Sequence, residues 1–144
     1  MKEQFVTYEI ALVLKELNFE EDCMACFTSK LNDNTFNQFW YSDQIWDNSD
    51  FHPSPRMCKN SDFGNEKSCT APLWQQVIDW LLTEKKISVY VGATFISGYT
   101  NPFWNVVTPT DYYISEKVYS GFSNTLLEAK EKAILKAIEL IKNK

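Results

Sequence analysis

The sequence predicts an α+β fold: a small antiparallel sheet with helices packed on one of its faces. Three observations carry this. Apolar side chains recur at helical spacing near the N-terminus and again over 72–84. Residues 87–96 alternate β-branched and aromatic side chains at the period of a strand. Helical spacing then returns over 125–142, so the second half runs α-β-β-β-α.

At the N-terminus, Thr7 is placed to cap a helix, with Glu9 in the first turn where the helix dipole favours a negative charge. Ile10, Val13, Leu14 and Leu17 then give residues 8–17 one buried face. Asn18 closes this helix, because asparagine tolerates the left-handed conformation of helix ends. Residues 22–29 are small and apolar enough for a strand, 31–34 supply a turn, and 35–41 return as its partner. From 42 to 69 Asn, Asp, Ser, Pro and Gly dominate, which predicts a long irregular loop draped over the sheet.

Thr70 before Pro72 reads as a hydroxyl cap preceding a proline in the first helical turn. Leu73, Trp74, Val77, Ile78 and Leu81 line one face of that helix, while Gln75, Gln76 and Asp79 take the other. The helix ends near Lys85, and the strand 87–96 follows. Residues 97–102 are turn chemistry, 103–108 a second strand stopped by Pro109, and a third lies within 112–120, broken by Gly121. Ser123 or Asn124 caps the last helix, where Leu127, Ile134, Ile138 and Ile141 form a buried stripe widened by Ala133 and Ala137. Glu128 and Lys132 make a supporting pair one turn apart.

The 144 residues predict a single domain, 1–144, divided into a helix plus strands (1–41), the loop (42–69) and the helix-strands-helix half (70–144). An apolar share of 44% is that of a globular chain, and 15% aromatic residues supply large buried areas. The net charge of −5 is unevenly spread. Residues 1–70 hold six basic and twelve acidic side chains, −6, and 71–144 hold eight and seven, +1. An acidic front half repels phosphate and argues against general nucleic-acid binding. No targeting segment and no membrane span is visible, so a cytoplasmic location with reduced thiols is expected.

Cys23 and Cys26 have zinc-knuckle spacing, and Cys58 and Cys69 would complete four ligands. Against this, residues three apart in a strand point to opposite faces, and ten residues separate the second pair. Buried or incidental thiols are the expected outcome, with no metal centre. His52 is the one histidine and stands in a loop, where solvation is its ordinary state. Paired carboxylates (Asp43, Asp47, Asp50, Glu20, Glu21, Asp22) read as a solvated acidic face. Four scattered glycines form no phosphate loop. We therefore expect neither a catalytic set nor a cofactor, and no enzyme.

Aromatic and hydrogen-bonding side chains interleave over 36–51, the composition of binding surfaces. Trp40, Tyr41, Trp46 and Phe51 are the candidate binding residues there. The same rings could instead pin the loop to the core. A second candidate is the basic side of the last helix, Lys130, Lys132 and Lys136, with Lys85 and Lys86, as a nucleic-acid surface.

Two resemblances add to this. The helix opening Ala71-Pro-Leu-Trp-Gln-Gln, with the later strand and the Glu128-Ala129 helix, resembles a group of small uncharacterised proteins of phages and mobile elements of gut bacteria. That resemblance implies an accessory or host-interaction role and carries no activity. The order helix 72–84, three strands, helix 125–142 is similar to that of a double-stranded-RNA-binding domain. Leu126 and Leu127 stand where that family has its leading phosphate-contacting lysines, and Lys130 remains. The resemblance therefore implies the scaffold and not its RNA contacts. The function expected is a non-enzymatic protein-interaction or accessory module, binding another protein or itself. A nucleic-acid-associated protein and a small zinc protein using Cys23, Cys26, Cys58 and Cys69 are the alternatives.

Overall fold

The computed structural model describes residues 2–29, 35–41, 57–109 and 116–143. The fold is α+β, with two small antiparallel three-stranded sheets in place of the single one expected. The chain divides into two compact units, 1–73 and 74–144.

In the first unit, helix α1 (Tyr8–Glu16) begins where Thr7 accepts the amide of Ile10. It ends at Asn18, whose φ of 62° is left-handed. The Phe19 amide then reaches back to Leu14 O at 3.0 Å and the Asn18 amide to Lys15 O at 3.1 Å, so the last carbonyls are satisfied locally. Strands β1 (Ala25–Phe27), β2 (Phe39–Tyr41) and β3 (Cys69–Thr70) form a sheet with β1 in the middle. The predicted 22–29 and 35–41 strands are thus real but shorter, and the turn expected at 31–34 lies outside the described residues.

Residues 57–69 are not a loop draped over a sheet. Cys58 pairs with Cys23 in an isolated bridge, a 3-10 turn spans Asn60–Asp62, and Cys58, Asn60, Ser68 and Cys69 are buried. Asn60 explains why so polar a segment enters the core. Its amide donates to Phe19 O at 2.7 Å and its side-chain oxygen accepts the Thr70 amide at 2.9 Å. Lys15 adds a second tie, donating to Asn65 O at 2.6 Å and Ser68 O at 2.7 Å. Residues 42–56, including His52, lie outside the described residues.

Thr70 does not cap a helix. It belongs to β3, and its neighbours are held by the same unit: Ala71 N–H donates to Ala25 O, Pro72 O accepts Val6 N–H, and Leu73 bridges Phe5. With its backbone bonded that way the segment stays extended. Helix α2 (Trp74–Lys85) therefore starts four residues after the expected cap and buries Trp74, Val77, Trp80 and Leu81.

The second unit continues with strands β4 (Ser88–Ile96), β5 (Tyr99–Pro109) and β6 (Glu116–Phe122), in the order β4-β5-β6, and helix α3 (Leu126–Lys142). The turn expected over 97–102 shrinks to two residues. Ser97 (φ 52°) and Gly98 (φ 82°) are both left-handed, which matches the strand twist and lets pairing run to Ile96–Tyr99. Pro102 ends the β6 side of the ladder, its carbonyl accepting the Ser123 amide. Gly121 does not break β6; it pairs with Trp104. Part of the expected third strand, 112–115, lies outside the described residues.

Helix α3 is capped by Thr125, not by Ser123 or Asn124. The Thr125 hydroxyl accepts Glu128 N–H at 3.1 Å, and the Glu128 carboxylate accepts the Asn124 amide at 2.9 Å. Its buried stripe is Ala129, Ala133 and Ala137 with Ile134 and Ile138, while Leu127 is exposed and Ile141 half-buried. A row of alanines lets the helix approach β4 and β5 closely, and α2 packs beside it against β4.

Candidate interaction surface

Paired residues of an antiparallel sheet share a face, so the register sorts the second sheet into two sides. One side carries Val89, Val91, Ala93 and the exposed Phe95 of β4, Thr100, Pro102, Trp104, Val106 and Thr108 of β5, and Lys117, Tyr119 and Gly121 of β6. This is the helix side. Val89, Pro102, Val106 and Thr108 are buried, and Lys136 of α3 lies 4.8 Å from the centre of the Tyr119 ring.

The other side is open. Five of its rungs are Ile96 with Tyr99, Thr94 with Asn101, Gly92 with Phe103 and Phe122, Tyr90 with Asn105 and Ser120, and Ser88 with Val107 and Val118; Pro109 pairs with Glu116 at the end of the β5–β6 ladder. Tyr99 is 75% exposed, Phe122 70%, Tyr90 60%, Ile96 58% and Val118 57%. Phe103 is half-buried because its ring lies over Gly92, with ring carbons 3.0 and 3.1 Å from where a Cβ there would be. The polar members, Ser88, Thr94, Asn101, Asn105 and Ser120, are all uncharged. Over the five rungs from Ser88 to Tyr99 there is no ionisable group other than the tyrosine hydroxyls; Glu116 stands beyond them, on the end rung with Pro109.

The residues singled out from the sequence fall elsewhere. Trp40 and Tyr41 are half-buried in β2. Tyr41 belongs to a cluster of edge-packed rings, 6.0 Å from Phe5 and 5.3 Å from Phe39, and Phe39 in turn meets Phe27 at 5.7 Å. Within 36–41, Phe39 and Tyr41 thus pack against the core aromatics Phe5 and Phe27. Trp46 and Phe51 lie outside the described residues.

The lysines are largely engaged by their own helices. Lys132 pairs with Glu128 at 2.7 Å, Lys136 with Glu139 at 2.8 Å, Lys85 lies over the Trp80 ring at 4.8 Å, and Lys86 donates to Thr83 O at 2.5 Å. Lys130 is half-buried on α3.

The four cysteines come together in the first unit, contrary to the expectation that Cys23 and Cys26 diverge. The bend at Met24 interrupts strand alternation and turns both thiols inward, and all four are free and fully buried. Burial pushes Cys23 and Cys69 up to about 12. Cys26 is held protonated by its hydrogen bond to Cys58 and by burial. The Cys58 thiol faces Cys23 O at 3.3 Å and Ala25 O at 3.4 Å, where it acts as a donor. Cys58 is shifted the other way, held below the ordinary 9.0 chiefly by the hydrogen bond from Cys26, whereas the protonated, buried thiols of Cys23, Cys26 and Cys69 are poor nucleophiles. Among the described residues, no three His, Cys, Asp or Glu side chains are disposed to hold a metal ion. Nor is any described helix long and apolar enough to cross a membrane.

Comparison of the chain with protein-family models, with curated proteins and with solved structures finds no match.

Proposed function

We propose that this chain is a non-enzymatic protein-interaction module, and that its binding surface is the open face of the β4–β5–β6 sheet. The carrying observation is the exposure of Tyr90, Ile96, Tyr99, Val118 and Phe122 on one face, over five rungs that carry no charged residue. At roughly 150–250 Å² for a whole aromatic side chain, and somewhat less for Ile96 and Val118, the exposed parts of these five amount to about 600 Å². Monomers seldom leave an apolar patch larger than about 300–600 Å² open to water, and those that do generally use it.

The chemistry of the face selects the class of partner. A single-stranded nucleic acid would find rings to stack on but, among the described residues of these rungs, no cation to follow its phosphates. An apolar protein surface finds both the area and the absence of charge that an interface core requires. The accessory role implied by the resemblance to phage and mobile-element proteins suits such a module.

The test uses the full chain as bait in an extract of its host, beside the variant Tyr90→Lys, with thermal melting run on both. A partner retained by the unchanged chain and lost by an equally stable Tyr90→Lys supports the proposal. Retention of every partner by the variant overturns it.

A further inference from the structure

The proposed interaction surface has a property that narrows its occupant. We infer that the open face of β4–β5–β6 packs against the same face of a second copy of this chain, forming a two-fold sheet-on-sheet dimer; this rests on the face being an interaction surface.

A two-fold interface brings one patch against itself, so each group must tolerate its own kind. A carboxylate or an ammonium fails that condition, because like charges would meet in a desolvated space. The five rungs from Ser88 to Tyr99 carry neither, and the one carboxylate residue of the face, Glu116, stands beyond them on the end rung with Pro109. Its polar members meet the condition in the opposite way. Asn101 and Asn105 each hold a donor and an acceptor on one amide, and Ser88, Thr94 and Ser120 do so on one hydroxyl, so like can pair with like. The rings of Tyr90, Tyr99, Phe103 and Phe122 pack edge-on or offset against other rings.

The area is sufficient. About 600 Å² from each copy removes about 1,200 Å² in total, the lower end of the range for specific, stable interfaces. The shape is suitable too. Two twisted antiparallel sheets stack face to face at a separation of about 10 Å, the distance that side chains of this size fill. Around Val89, Pro102, Val106 and Thr108 the helix side of each sheet is already covered by α3 and α2, so pairing would leave a four-layer arrangement of helices, sheet, sheet and helices.

The experiment is sedimentation equilibrium of the full chain from micromolar to near-millimolar loading, with two variants. Phe122→Lys places a charge on the open face, on the rung it shares with Phe103 and Gly92. Phe95→Lys places the same charge on an 80% exposed phenylalanine of β4 whose register assigns it to the opposite face. The expected result is a dimer for the unchanged chain and for Phe95→Lys, with dissociation strengthened roughly a hundredfold by Phe122→Lys, the order expected when an ammonium enters an apolar contact. Circular dichroism on each variant confirms that it is folded. Should Phe122→Lys not fold, Val118→Lys on the same face replaces it. A chain that is monomeric at every loading overturns the inference, as does dissociation of Phe95→Lys to the same extent as Phe122→Lys. A monomer whose host partner is still lost by Tyr90→Lys would overturn the dimer alone. Retention of that partner would overturn the interaction surface itself.

Discussion

The indole of Trp104 lies on the backbone of Gly121, in the neighbouring strand, so closely that a methyl group there would be 2.9 Å from three ring atoms. One residue away along the ladder, on the opposite face, Phe103 covers Gly92 in the same manner. Each glycine is kept by the ring that occupies the space of its missing side chain.

The two pairs should respond differently to a methyl group. Trp104 is on the helix side of the central strand, so Gly121→Ala forces a rigid indole into packed surroundings. Overpacking of this kind costs about 1–3 kcal/mol. The Phe103 ring is on the open face, and its far end meets the methyl of Gly92→Ala; it can turn outward. The restricted unfolded chain then offsets most of the strain, and the change should be within about 1 kcal/mol. Urea denaturation of the two variants measures the difference, and equal losses would contradict the assignment of faces.

Asn60 is the polar centre of the first unit, 2% exposed and bonded to both Phe19 O and Thr70 N–H. Asn60→Ala would orphan a buried carbonyl and a buried amide together, a loss of about 2–5 kcal/mol. Asn60→Asp keeps the acceptor for Thr70 but cannot donate to Phe19 O when ionised. It should therefore recover stability as the pH falls and its carboxyl takes up a proton, whereas Asn60→Ala should not. Denaturation midpoints of both variants at acidic and neutral pH check this.

The cap of α3 predicts a smaller and local effect. Thr125→Ala removes the acceptor for Glu128 N–H and should cost about 1 kcal/mol. The partnership with Lys132, followed by the Asn124 amide, holds Glu128 below its ordinary 4.5. Its contribution is therefore present above that value and lost as the pH falls through the depressed one. Glu128→Gln should flatten that part of the stability profile, an outcome readable by thermal melting between neutral and acidic pH.

Local rules were the legible ones. Helix α1 was read almost to the residue because Thr7, Glu9 and Asn18 act within their own turns. The α-β-β-β-α order of the second half was read from period alone. Readings failed where a distant partner decides the backbone. Thr70 has the chemistry of a cap, yet Asn60, ten residues earlier, takes its amide and leaves it in a strand. Gly121 has the chemistry of a break, yet Trp104 makes it a strand position. Cys23 and Cys26 were sent apart by strand alternation, which the bend at Met24 removes. The open face was missed although a signal for it exists. β4 is apolar in both of its alternating sets, Val89, Val91 and Ala93 against Tyr90 and Ile96, while helices are available for one side of the sheet. A strand apolar on both faces asks for cover on both.

The buried thiols give the last prediction, through pH. Cys23 and Cys69 rise from the ordinary 9.0 to about 12 on folding, chiefly because burial disfavours the thiolate. Below pH 9 both folded and unfolded thiols are protonated, and their contribution to stability is fully present. Between 9 and about 12 the unfolded chain releases protons that the folded chain retains, so stability falls as pH rises. The slope is on the order of 1 kcal/mol per pH unit for each thiol. Replacing both in the variant Cys23→Ala/Cys69→Ala should remove that slope, so the variant, less stable at neutral pH, should lose less on going to pH ~10.5. Urea midpoints of the two proteins across this window measure it. Parallel decline of both would mean that the native thiols ionise as readily as unfolded ones.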